Sequence, residues 1–146
     1  MGVVDKFNRT LDELKSSINK SIQTSIQKNE NVLIDQQTEQ QFDKGQDSNG
    51  VQFVPSYALS TKAIKRSKGQ PTNRVTLKDT GNLYRSITIE ANSTNAIIKP
   101  NTDYFKYLVT HYSNNNILGI QDSAMQDFLN NYTIPEIAKN FRKIIG

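Results

Sequence analysis

Apolar residues fall at Val4, Phe7, Leu11, Leu14, Ile18, Ile22 and Ile26, in steps of three or four, with Asp, Glu, Lys, Asn and Ser between them. That period predicts an amphipathic helix over residues 4–28. Its stripe is narrow, which suits a helix lying across a small sheet or against a neighbouring subunit; the plainer alternative is a helix covering its own domain's sheet. Residues 32–34 read as a short strand or a helix end. Residues 38–44 read as a further helical turn closed by Gly45. Asp47, Ser48, Asn49 and Gly50 form a turn signal leading into Val51-Gln52-Phe53, an alternating strand start. A short basic helix is expected over residues 61–68, ended by Gly69-Gln70-Pro71.

The second half begins with the run Val-Thr-Leu-Lys-Asp-Thr-Gly-Asn-Leu-Tyr-Arg-Ser-Ile over residues 75–87. Asp79 and Thr80 can cap a helical turn through their side-chain oxygens, Gly81 frees the backbone, and Leu83, Tyr84 and Ile87 recur at helical spacing. β-Branched residues on both sides of Asn92-Ser93-Thr94 predict a β-hairpin. An aromatic stretch over 104–110 reads as one or two helical turns. Asp122 or Ser123 is expected to cap a last helix carrying Met125, Phe128, Leu129 and Tyr132, which Pro135 kinks or restarts before Ile137, Phe141, Ile144 and Ile145 continue its apolar face. The fold class is therefore α+β: a long N-terminal helix over 1–31, then a core over 32–146 with a small antiparallel sheet and C-terminal helices packed against it, all in one domain.

Composition makes that core lean. Only 35% of the 146 residues are hydrophobic, and the mean hydropathy of -0.63 reflects many Asn and Gln side chains, which need partners or water. A long helix on a lean domain suggests assembly with neighbours. No apolar run is long enough to span a membrane, and the N-terminus lacks the apolar stretch of a secretory signal, so the protein is expected to be made in the cytoplasm with no membrane partner. Cysteine is absent and histidine is limited to His111. Disulfides, thiolate sites and a histidine-rich zinc site are excluded.

The net charge of +4 is too small to imply a dedicated nucleic-acid binder, so charge location matters more than its sum. Lys62, Lys65, Arg66 and Lys68, with Arg74 and Lys78, precede the first acid of that region, Asp79. Two readings stand: a surface facing DNA or an acidic partner, or a solvated helix face. No aromatic platform accompanies the charge in the sequence.

Catalytic patterns fail one by one. The glycines form neither a phosphate loop nor a dinucleotide fingerprint. Aligning Gly50 with the glycine of a calcium loop puts Gly45 at the first ligand position and Ser56 where the bidentate Glu belongs, and Asp43, Asp47 and Asn49 carry too little charge for a metal. Glu90 and Asp103 lie in hairpin or turn contexts where a glycosidase carboxylate is not expected. His111, with Asp103 or Asp122 as orienter, is a weak general-base candidate. Asp79-Thr80-Gly81 lacks the apolar strand flanks of an aspartic protease. The expectation is a protein without catalysis or cofactor, working through its surfaces.

The run at 75–87 resembles the segment Leu-x-Asp-Thr-Gly-x-(Leu or Phe)-Tyr-x-Ser-(Ile or Phe) of phage tail-completion and virion-morphogenesis proteins. Other features lie in the family's order: a Gln-containing helix followed by Gly-Gln-Asp-Ser-Asn-Gly at 45–50; Tyr57, Thr61 and Lys65 spaced by four; Gly69-Gln70-Pro71 before Arg74-Val75-Thr76-Leu77-Lys78; and Asn116-Ile117-Leu118-Gly119-Ile120 with Met125, Phe128 and Pro135. The likeness covers residues 36–145 and is similar to versions in Bacteroides and crAss-like phages. Asn82 stands where relatives often carry an acid, and Leu83 where Phe is common.

The resemblance implies a homo-oligomeric ring at the head-to-tail junction of the virion, extending the portal channel and touching portal or adaptor and tail proteins. Under it, Asp79, Thr80, Gly81, Leu83 and Tyr84 form a subunit-interface or fold motif. Lys62, Lys65, Arg66 and Lys68 face packaged DNA or a partner, and Phe7, Leu11, Leu14, Ile18 and Ile22 form a helix interface. A closing ring needs two different flanks on each subunit, which suits a long helix and a lean core. The competing class is a nucleic-acid-binding or assembly factor outside the virion that uses residues 62–78.

Overall fold

The apolar stripe forms helix α1, Val3–Lys28, which is 26 residues long in this computed structural model, whose described residues are 2–145; Met1 and Gly146, the ends of the expected domain, lie outside them. After Asn29 the chain continues as α2 (Glu30–Asp35) and a π-helical stretch, Gln36–Phe42. Helix α3 (Leu59–Ser67) and the short α4 (Asn82–Ser86) lead into strands β1 (Ile87–Ala91) and β2 (Ala96–Pro100). Helices α5 (Phe105–Tyr112) and α6 (Asp122–Phe128) follow, then a π-helical turn, Leu129–Thr133, and α7 (Ile134–Ile145). The fold is mixed α+β, as its patterning predicts.

β1 and β2 pair antiparallel with Ile89 opposite Ile98. The side chain of Asn92 shapes the turn, its Oδ1 accepting from the N–H groups of Thr94 and Asn95 at 2.8 Å each. Ile87 and Ile89 are buried while Glu90 faces water, the period-two alternation of a half-buried strand. Two apolar clusters meet at this hairpin. Phe42 is wholly buried between Phe53 and Tyr84, with ring centroids 6.3 and 5.8 Å away, and is joined by Val75, Leu83 and Ile117. Leu33, Ile89 and Phe128 form the second cluster, and Ile34 and Ile98 pack against both.

Glutamine completes what apolar side chains leave open. Gln37 and Gln41 are buried, and their amides clasp the irregular segment 117–121. Gln37 Oε1 accepts from Gly119 N–H at 2.8 Å; Gln41 Nε2 donates to the Gly119 carbonyl at 2.6 Å, and Gln41 Oε1 accepts from Gln121 N–H at 2.9 Å. A buried amide satisfied at both ends offsets its desolvation, so these side chains fill a lean core at little cost.

α1 buries no apolar side chain; its buried residues are Ser21 and Ser25. The stripe through Val4, Phe7, Leu11, Leu14 and Ile18 continues in register to Ser21 and Ser25, where α7 and the turn before it approach. Ser25 Oγ lies 2.9 Å from Thr133 Oγ1, and Asn140 Nδ2 donates to Ser21 Oγ at 2.7 Å. Small hydroxyl side chains let the two helices come close.

Two local expectations need correction, and two others are met. Val51-Gln52-Phe53 forms no strand, only an isolated bridge between Gln46 and Gln52, because Pro55 follows and cannot donate to a ladder. Of the two readings of residues 32–34 the helical one holds, within α2, and the helical turn expected over 38–44 is present as the end of the π-helical stretch at Phe42, closed by Gly45 with φ 73°. No side chain of Asp122 or Ser123 caps α6, whose N-cap is Gln121. Pro135 is the second residue of α7, in the first turn, where a missing donor is tolerated; a new helical segment thus starts there as expected, after a turn of π geometry.

Candidate functional site

The Asp79 run and the basic helix, joined by the short connection through Gly69-Gln70-Pro71, form two walls of one cleft of about 750 Å³, closed on its third side by α5. Tyr57, Lys65, Lys68, Leu77, Asp79 and Tyr112 contribute to its lining. Gly81, with φ 86°, is the N-cap of α4, a left-handed conformation that glycine adopts without penalty. Leu83 and Tyr84 then point inward as core. Thr80 Oγ1 accepts from Asn82 N–H at 3.3 Å, a local turn. Asp79 does not cap: its carboxylate meets Lys68 Nζ at 2.5 Å, and its backbone carbonyl accepts from Gln70 Nε2 at 2.7 Å.

The basic cluster does not act as one surface. Lys65 is only 6% exposed; its ammonium donates to the Lys78 carbonyl at 2.6 Å and to Gln70 Oε1 at 3.3 Å, and lies 4.6 Å from the centre of the Tyr57 ring. The expectation that Lys65 faces DNA or a partner is therefore corrected: it is a structural strut, buried because a carbonyl, an amide and a ring satisfy it. Lys68 is tied to Asp79, and the bonded, charged Lys68 holds the Asp79 carboxyl below the usual carboxylate range. Lys62 is half-buried and Arg66 exposed; among the described residues neither forms an ion pair.

Three tyrosines that the sequence does not mark as a site line this cleft. Tyr57, Tyr104 and Tyr112 come from separate segments, and nothing in their spacing signals convergence. Burial pushes the Tyr112 phenol up to about 12, with Tyr57 and Tyr104 adding to the shift. Burial also raises Tyr84, followed by the charges of Asp43 and Glu39; its hydroxyl donates to the Thr76 carbonyl at 2.6 Å. Leu77, in the cleft wall, takes a left-handed φ of 57°, a conformation that side chains other than glycine avoid.

The chemical candidates separate from one another. His111 sits edge-on to Tyr112 at 4.7 Å, and among the described residues no hydrogen bond links it to Asp103 or Asp122. Glu90 pairs across the hairpin with Lys99 at 2.8 Å. Asp47 Oδ1 accepts from Asn49 and Val51 N–H, and Oδ2 from Asn114 Nδ2; that carboxylate builds a turn. Among the described residues no group of three or more His, Asp or Glu is arranged to hold a metal, and no helix is long and apolar enough to cross a membrane.

Two apolar surfaces stand apart from the cleft. Beyond the reach of α7, α1 projects with Val3, Val4, Phe7 and Leu11 at 84, 69, 62 and 37% exposure. Of the remaining helix-interface candidates, Leu14 and Ile18 are half-buried and Ile22 is exposed. Ile22 and Ile26 turn toward the hairpin and form one wall of a groove of about 370 Å³, whose other walls include Ile97, Ile98, Ile120 and Met125. No protein-family model, curated protein or solved structure matches this chain.

Proposed function

We propose that this chain is a structural protein of the virion, a ring-forming subunit of the head-to-tail connector that extends the portal channel and joins it to the tail. The observation that carries the reading is the projecting half of α1. A monomer gains nothing from several turns of helix with an uncovered apolar stripe, whereas an assembled subunit covers it. The ordered likeness of residues 36–145 to tail-completion proteins supplies the class of assembly. In this reading the Asp79 run acts through the fold, by setting the cleft wall and seating Leu83 and Tyr84, and no catalytic step or cofactor is involved. Portal or adaptor and tail proteins are the neighbours, and the protein is made in the host cytoplasm before joining the particle.

Mass spectrometry of purified, DNA-filled virions, with this chain quantified against the portal protein, tests it. A fixed ratio to the portal is expected; absence from particles overturns the reading.

A second reading is favoured by one observation: Tyr57, Tyr104 and Tyr112 supply the aromatic faces that the sequence alone did not place beside the basic segment. A nucleic-acid-binding assembly factor using 62–78 would lose affinity steeply with salt, and neutralising Lys62 and Arg66 would reduce that slope.

A further inference from the structure

We infer that the projecting half of α1 docks into the apolar groove between α1, the hairpin and α6 of a second copy of this chain. The inference rests on the ring reading and names its subunit contact. Val4, Phe7 and Leu11 stand at i, i+3 and i+7, the anchor spacing of a helix that lays its apolar face into a groove. The groove has the matching chemistry: Ile22, Ile26, Ile97, Ile98, Ile120 and Met125 present aliphatic and thioether surface, with Ile97 45% exposed on its rim.

One copy cannot satisfy both features. Phe7 and Ile22 lie on the same continuous helix, about 22 Å apart along its axis. The anchors and the groove can meet only between molecules. Such a contact is heterologous, since each copy offers its helix on one flank and its groove on the other, and it propagates around a closed ring. The alternative, two α1 stripes pairing about a two-fold axis, leaves both grooves open to water. Docking covers both surfaces in one contact. Val4 and Phe7 keep most of their side-chain surface in water and Leu11 about a third, and docking withdraws these and the groove lining together.

Continuity supports the geometry. The seam of α1 is already a helix-packing surface where Ser21 and Ser25 meet Thr133 and Asn140 of the α7 arm. The anchors extend that seam past the end of α7.

The chain contains no cysteine, so paired single-cysteine variants give a direct test. Thr10, exposed beside the stripe, and Ile97, on the groove rim, are replaced in separate preparations, Thr10→Cys and Ile97→Cys. Mixing them under mild oxidation is expected to give a disulfide between the two variants. Phe7→Asp and Leu11→Asp are each expected to weaken self-association by roughly tenfold or more, measured by sedimentation, with unchanged circular dichroism and melting temperature. Self-pairing of Thr10→Cys in place of the mixed product, a wild-type monomer at every concentration, or undiminished assembly of Phe7→Asp overturns the docking. The mixed disulfide with no chain in virions would leave the docking standing and remove the connector reading. A fixed virion ratio without the disulfide would do the reverse.

Discussion

The hydroxyls of Tyr57 and Tyr84 hold the two ends of Thr76: Thr76 N–H donates to Tyr57 Oη at 2.9 Å, and Tyr84 Oη donates to the Thr76 carbonyl at 2.6 Å. Thr76 precedes Leu77, the buried residue with φ 57°. A left-handed leucine costs about 1–2 kcal/mol, and the two phenols brace the peptide that leads into it. The cleft wall thus depends on two tyrosines from different segments.

Tyr84→Phe removes the donor to a buried carbonyl and is expected to destabilise the fold by about 1–3 kcal/mol, read as a lower urea midpoint at unchanged slope. Alkaline pH tests the same bond. Burial raises the Tyr84 phenol, and raises Tyr112 to about 12. An unfolded tyrosine ionises near pH 10, so this stability is fully present below about pH 10 and is lost as pH rises toward the folded values, at about 1.4 kcal/mol per pH unit for a fully protected phenol. Tyr112, partly open to solvent, contributes less. Tyr84→Phe should flatten the decline measured between pH 9 and 11; an unchanged decline would show that Tyr84 ionises freely in the fold.

Asp79 gives the opposite sign. Its hydrogen bond and charge interaction with Lys68 lower its folded value, so the stabilisation is present above the unfolded value near pH 4 and is lost as pH falls through the folded one. Both side chains are exposed, and such pairs contribute little. Asp79→Asn is expected to leave the urea midpoint at pH 7 within experimental scatter of wild type, and high salt should act likewise. A large loss would mean that Asp79 holds more than Lys68.

Lysine substitutions should divide the basic helix. Lys65→Met strips a donor from the Lys78 carbonyl and Gln70, at an expected cost of about 1–3 kcal/mol. Lys62→Ala and Arg66→Ala should stay within about 0.5 kcal/mol. Thermal melts of the three variants check this, and equal effects at all three positions would return Lys65 to the surface.

Gln41→Leu keeps the volume but abandons the Gly119 carbonyl and the Gln121 N–H. Leaving these two partly buried groups unpaired should cost about 1 kcal/mol or more. Hydrogen exchange offers a sharper readout: the Gln121 amide should lose protection in the variant while β1 amides keep theirs, apart from the general loss of stability.

Elements whose residues interact with their own neighbours were legible. α1 shows in its three-and-four period, and the hairpin in β-branched runs around Asn92-Ser93-Thr94. The π-helical stretch Gln36–Phe42 was not, because its widened turns accompany contacts by Gln37 and Gln41 to a segment far along the chain. The site was concealed for a related reason: its contacts are shorter in sequence but are still set by how elements pack. Asp79 and Gly81 were visible as turn chemistry, but the partner of Asp79 is decided by where α3 packs. Lys65 looked like surface charge since no local pattern marks a lysine that will find a distant carbonyl and a tyrosine ring. In α1, the apolar stripe correctly located the helix, yet the contact with α7 falls on Ser21 and Ser25, which no hydrophobicity scale singles out.

The glutamine clasp also bears on aggregation. Ile117-Leu118-Gly119-Ile120 is an uncharged, apolar run, the kind of segment that adds strands from other molecules and seeds fibrils when its peptide groups are free. Gln37 and Gln41 occupy those peptide groups with side chains from the same molecule. Their amides keep these peptide groups from pairing with another chain for as long as the first third of the chain stays folded.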